Sequence, residues 1–167
     1  MASFLNGVSR MREPAKFSFT RVDASNLAAL WLSLIRPGVL EVIRRAGPVP
    51  WTPEQVLFQL KAGLENRLFC EAWTISRDRP CGFVILKLYN DEFLQVPDRL
   101  FLWIMKVGDS SALKELDHFL VKRALSLGLT KISGVSRRTG FVRWARKFGF
   151  EPDMLIFTKE IELGSAG

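Results

Sequence analysis

The chain is expected to fold as an α/β sandwich around a mixed sheet, and three features of the sequence say so. Apolar residues recur at helical spacing in four stretches and at strand spacing in six. The two kinds are interleaved rather than segregated, and no internal repeat or linker divides them. In chain order, residues 17–22 (Phe-Ser-Phe-Thr-Arg-Val) alternate apolar and polar and read as a first strand. Asp23 can cap a helix marked by Leu27, Leu30, Trp31, Leu34 and Ile35. Pro37-Gly38 is expected to break that helix, leaving a second piece over 39–45 that ends at Gly47-Pro48-Val49-Pro50. Thr52-Pro53-Glu54-Gln55 then combines a Thr cap, a Pro in the first helical position and a Gln in the third. This is a capping box for a helix burying Val56, Leu57, Leu60 and Leu64.

From Phe69 the period changes to two. Residues 69–76 and 82–89 flank Arg77-Asp78-Arg79-Pro80 and read as an antiparallel hairpin. Residues 99–107 (RLFLWIMKV) are nearly all apolar, as for a central strand covered on both faces. A long helix is expected next over 110–127, with Leu113, Leu116, Leu120, Ala124 and Leu127 on one side and Gly128 as its stop. Then come a short strand at 131–135, a basic helix at 140–148 ended by Gly149, and a closing strand at 154–161. One domain over 17–162 is therefore expected, with an arm at 1–16 and a plain tail at 163–167.

Composition narrows the class. The chain has 167 residues, 48% apolar and 25% charged, enough for a full core and too apolar for a disordered chain. No apolar run approaches the ~20 residues a membrane helix needs, and the start carries Arg10, Arg12 and Lys16 without a signal-peptide core. A soluble protein is expected, cytoplasmic or part of a virion or other complex assembled in the cytoplasm. Lys and Arg number 24 against 17 Asp and Glu, a net charge of +7. That balance favours an anionic ligand or surface, nucleic acid included, without choosing among them. Cys70 and Cys81 with one His are too few for a structural metal site. In the hairpin Cys70 falls opposite a residue near position 86 and Cys81 opposite one near 75, too far apart to bridge, so two free thiols are expected.

Four features carry a family resemblance: two helices after the first strand, an antiparallel meander, a long helix after the fourth strand, and a short helix ending in Gly149-Phe150. The order resembles the GNAT superfamily, the acyl-CoA-dependent N-acyltransferases, over residues 17–162. The resemblance implies a mixed, mostly antiparallel sheet flanked by helices. It also implies acetyl-CoA or a related acyl-CoA as cofactor, no metal, and transfer of the acyl group to an amine. The acyl arm would lie along Met105, Lys106 and Val107, and the pyrophosphate against Gly108, Ser110, Ser111 and Ala112, where a helix start offers free N–H groups.

The departures from the family are specific. Its loop reads Arg/Gln-x-x-Gly-x-Gly/Ala, whereas Val107-Gly-Asp-Ser-Ser-Ala112 is shorter, has one glycine, and sets Asp109 beside the anion, an opposition of about 1 kcal/mol. The family's general acid is a Tyr in the last helix; that position is Ala145, and the motif's Asn is Arg138. Tyr89 is the only tyrosine and reads as a sheet residue; Glu71, Asp91 and Glu92 are the carboxylates available as a base.

Other residues read more plainly. His118 sits about 160° from the centre of its helix's apolar stripe and is expected to be exposed. Trp31, Trp51, Trp73, Trp103 and Trp144 are expected in packing rather than base stacking. Arg137, Arg138, Arg143, Arg146 and Lys147, with Lys131 nearby, form the densest basic cluster, a solvated face or a site for a CoA phosphate, nucleic acid or an acidic protein. Two functions stand as alternatives. One is an acyltransferase working by positioning and backbone polarisation. The other is a GNAT-fold protein without catalysis that serves in binding or assembly, for example in a phage virion, with protein partners or copies of itself.

Overall fold

A computed structural model of the chain describes residues 16–47, 49–90, 97–136 and 139–151. The arm before Lys16, the closing strand expected at 154–161 and the tail at 163–167 lie outside them, as do Asp91, Glu92, Arg137 and Arg138. The described residues form β1 (Ser18–Arg21), α1 (Leu27–Leu30), α2 (Arg36–Ala46), α3 (Pro53–Leu64), β2 (Cys70–Ser76), β3 (Pro80–Asn90), β4 (Pro97–Val107), α4 (Leu113–Ser126), β5 (Ile132–Gly134) and α5 (Thr139–Lys147). The sheet runs β1-β2-β3-β4-β5; every pairing is antiparallel except β4 with β5, which is parallel.

Local chemistry explains most element ends. Asp23 accepts from the amides of Ser25 and Asn26, while its own amide donates to the Asn26 side chain, so the first helical turn is capped from both sides. Thr52 Oγ1 accepts from the Gln55 amide and Gln55 Oε1 from the Thr52 amide, the capping box expected from the spacing. α4 and α5 end alike. Gly128 (φ 73°) and Gly149 (φ 78°) take the left-handed conformation, and the next residues, Leu129 and Phe150, donate back to the carbonyls of Ala124 and Ala145.

One expected break is absent. Between α1 and α2 a π-helical stretch, Trp31–Ile35, carries the chain through Pro37 without interruption, the Arg36 amide donating to Trp31 O. Pro37 sits in the first turn of α2, where its fixed φ suits the helix. Gly38 is there for packing: a Cβ on it would lie 2.3 Å from the Phe83 ring. At the other end of the domain the expected 110–127 helix begins as a 3₁₀ turn, Ser110–Ala112, before α4 proper.

Two apolar layers sandwich the sheet. On one face Leu27, Trp31, Ile35, Val39, Val56 and Leu60 of the first helices pack on Phe83, Ile85 and Ile104. On the other, Leu116, Leu120 and Ala124 of α4 and Trp144 of α5 pack on Ile75, Val84, Leu86, Leu100 and Leu102. β4 is less covered than its composition predicts. Leu100, Leu102 and Ile104 are buried, while Phe101, Trp103 and Met105 remain half-buried.

Candidate functional site

The site is set by an irregularity in β4. Ile85 opposes Ile104 and Leu86 opposes Leu102, so Trp103 has no partner on β3 and forms a β-bulge. The bulge coincides with the point at which β4 leaves β5. The two pair only through Leu100↔Ile132, Phe101↔Ser133 and Leu102↔Gly134. Beyond that, Trp103 to Val107 has no partner on the β5 side among the described residues. The opened edge leads to the start of α4, and Phe141 of α5 closes over Gly134, its ring 3.1 Å from where a Cβ would be. Pairing between β4 and β5 thus ends at Leu102 and Gly134, and the chain runs on from that end of β4 into the start of α4.

The residues expected to hold a cofactor divide along this edge. Met105 lies opposite Val84 and Val107 opposite Gly82, both half-buried toward α4. Lys106 points to the other face, where its Nζ donates to Glu41 Oε2 of α2; Glu41 also pairs with Arg45, and the Lys106 bond holds the Glu41 carboxyl below its usual range. The Gly108 amide donates to Cys81 O at 2.8 Å, extending the strand ladder, and a Cβ there would stand 2.5 Å from that oxygen. The loop's single glycine is thus already required by the close approach of β3.

Asp109 settles how the helix start is satisfied. Its Oδ1 accepts from the Ser111 amide at 2.9 Å and from Ser111 Oγ at 2.6 Å, and its backbone carbonyl takes the Ala112 amide. The Ser111 side chain, before the amide, holds the Asp109 carboxyl below the usual range, and Arg77 stands 3.8 Å away. A carboxylate from the chain itself therefore sits where an anionic ligand would meet these donors. Ser110 is exposed and Ala112 fully buried.

Glu71 is not a free base. It is 3% exposed, and both its oxygens take charge-assisted bonds from Arg123 of α4, at 2.7 and 2.8 Å, with Arg21 at 3.5 Å. Nothing in the sequence signals this pair, whose members stand 52 positions apart. Tyr89 is exposed near the far end of β3, its ring against Arg99 and Phe101, as a sheet residue. Ala145 is half-buried in the α4-side core. Arg143, Arg146 and Lys147 are exposed on α5, and Lys131 stands 3.8 Å from Asp98. Trp31 and Trp144 are core residues, and Trp51 and Trp103 meet edge to face at 5.8 Å. Both cysteines are free thiols: Cys70 opposes Lys87, one place from the expected partner, and Cys81 Sγ donates to Ile75 O.

No family model matches the sequence, and no curated protein matches it. Solved structures do match in shape. A predicted acetyltransferase from Clostridium acetobutylicum, crystallised with acetyl-CoA, superposes at a TM-score of 0.63 and 14% identity, covering 85% of this chain and 96% of its own. The aminoglycoside N-acetyltransferase AAC(6')-Iy in complex with CoA gives 0.64 at 12% identity, over 89% and 97%. A ribosomal-protein-alanine N-acetyltransferase from Brucella melitensis biovar Abortus 2308 gives 0.63 at 12%, over 87% and 99%. At such identities the likeness is one of architecture: the chain has the GNAT fold.

Proposed function

We propose that this protein is an acyl-CoA-dependent N-acyltransferase, moving an acetyl or related acyl group from a CoA thioester to an amine. The observation that carries the reading is the bulge at Trp103 with the parting of β4 from β5. It frees a strand edge beside the start of α4, as in a fold whose solved examples include complexes with acetyl-CoA and CoA. In this reading the backbone of Met105, Lys106 and Val107 aligns the acyl arm as a neighbouring strand would, and a main-chain N–H polarises the thioester carbonyl. The amine attacks that carbon, the new C–N bond forms, the C–S bond breaks, and the sulfur leaves as thiolate. With Ala145 in place of a tyrosine, solvent supplies the thiol's proton and takes the amine's. The pyrophosphate would lie against Gly108, Ser110, Ser111 and Ala112, displacing the Asp109 carboxylate toward Arg77. The exposed basic α5 residues Arg143, Arg146 and Lys147 would meet the remaining phosphate, and Arg137 and Arg138 add to this basic cluster in the sequence.

A second reading, a GNAT-fold binding or assembly component without catalysis, is favoured by one observation: the Asp109 carboxylate already saturates the Ser111 amide and hydroxyl. Thermal unfolding with acetyl-CoA separates the two. A ligand at about 100 times its dissociation constant stabilises by ~2.7 kcal/mol, a rise in melting temperature of roughly 5–10 °C for a domain of this size. The transferase reading expects such a rise at millimolar acetyl-CoA, and a larger one in Asp109→Ala, which removes the internal competitor. No rise in either protein would leave the assembly reading standing.

A further inference from the structure

A groove unrelated to the cleft runs along the opposite edge of the sheet. Among the described residues β1 is the terminal strand, and α4 lies beside it across an open space of about 610 Å³. Phe17 and Phe19 line the strand side and Phe119 the helix side, with Phe19 and Phe119 stacked face to face at 4.5 Å. The rim is basic. Lys114 and Lys122 stand on α4 with His118 between them, two turns of helix in all, and Lys16 stands across from them at the head of β1.

Among the described residues no strand pairs with the outer edge of β1. The Val22 amide donates to Ala72 O, which fixes the phase of the β1–β2 ladder. Residues alternate between pairing inward and pairing outward in an antiparallel ladder, so the backbone N–H and C=O groups of Phe19 and Arg21 face the free edge. An edge strand, an apolar floor and a helix wall are the components of a groove that receives an extended peptide as an added strand. The lining also holds one carboxylate, Glu115, whose Oε2 is buried away from the groove surface and has no hydrogen-bond partner among the described residues.

We propose that the groove between β1 and α4 binds an extended acidic segment of a partner protein, which adds to the sheet beside β1. Its apolar side chains drop onto Phe17, Phe19 and Phe119, and its carboxylates meet Lys16, Lys114 and Lys122. A second copy of this chain is the poorer occupant, because a two-fold axis through β1 would bring these same lysines face to face. The proposal is independent of the transferase reading, since no residue of the β4–β5 cleft takes part.

The test uses the full chain and a blocked, fluorescent octapeptide of alternating Glu and Val, followed by anisotropy. Saturable binding is expected, weakened at least about tenfold by Lys114→Glu with Lys122→Glu and by moderate salt, at an unchanged melting temperature of the variant. N-methylation of alternate peptide residues should abolish binding in one frame and leave it in the other, the signature of strand addition. Four results would each overturn the proposal: no saturation by about 1 mM peptide, equal binding of the Lys-Val analogue, indifference to both methylation frames, or displacement of the peptide by a single-stranded oligonucleotide. Sedimentation of the free protein as a dimer that the peptide dissociates would assign the edge to a second copy and overturn it as well.

Discussion

Cys70 and Cys81 show how neighbours decide the chemistry of one side chain. Cys70 is 4% exposed, and its carbonyl packs at 2.0 Å from where Gly63 would carry a Cβ. Burial pushes its thiol up to about 12, so the nucleophilic thiolate is absent at neutral pH. Cys81 is half-exposed, and its thiol is raised first by partial burial and then by the Asp109 charge. A thiol reagent at about pH 8 should therefore modify Cys81 in the native protein, more slowly than a free cysteine, and reach Cys70 only after unfolding. Rapid native labelling of both thiols would contradict this packing. The same scale explains what the sequence concealed at Glu71. A glutamate in an alternating strand reads as solvent-facing, and only the fold brings Arg123 across to bury it between two charge-assisted bonds.

At the scale of elements, legibility tracks the range of the interactions. Caps were legible because their partners are close in sequence: Thr52 with Gln55, Gly149 with the last turn of α5. The bulge at Trp103 was not, since a bulge exists only relative to a partner strand. Pro37-Gly38 misled for a related reason. The pair carries the chemistry of a helix break, yet the π-helical stretch absorbs the proline, and the glycine serves a contact with the distant Phe83. Gly38→Ala tests this. Helix propensity alone would make it stabilising by ~1 kcal/mol. Overpacking against Phe83 should instead destabilise by about 2 kcal/mol in urea unfolding, and a gain in stability would show the contact to be yielding. The groove along β1 went unread because His118, Lys114 and Lys122 look like an ordinary solvated helix face until Phe17 and Phe19 are set opposite them.

For the whole molecule, charge sets the acid limit. Hydrogen bonds and ion pairs hold the carboxyls of Asp23, Glu41, Asp98 and Asp109 below their ordinary values: Ser25 for Asp23, Lys106 for Glu41, Arg99 for Asp98 and Ser111 for Asp109. A carboxyl depressed in the folded state adds stability that is complete above its unfolded value, near ~4, and drains away as pH falls through the folded value. Burial raises Asp117 and opposes this weakly. Protonation also leaves the 24 Lys and Arg unbalanced. The urea midpoint should therefore be level from about pH 6 to 8 and fall steeply below about pH 4; a midpoint unchanged at about pH 3 would show these bonds to be energetically idle.

The alternation along β3 has a consequence for how the molecule holds together. Phe83 and Ile85 pack into one apolar layer while Val84 and Leu86 pack into the other, so with β2 and β4 on either side this ribbon is part of a wall common to both. Neither helical storey can melt without loosening the partition it shares with its neighbour, and the domain is bound to stand or collapse as one house.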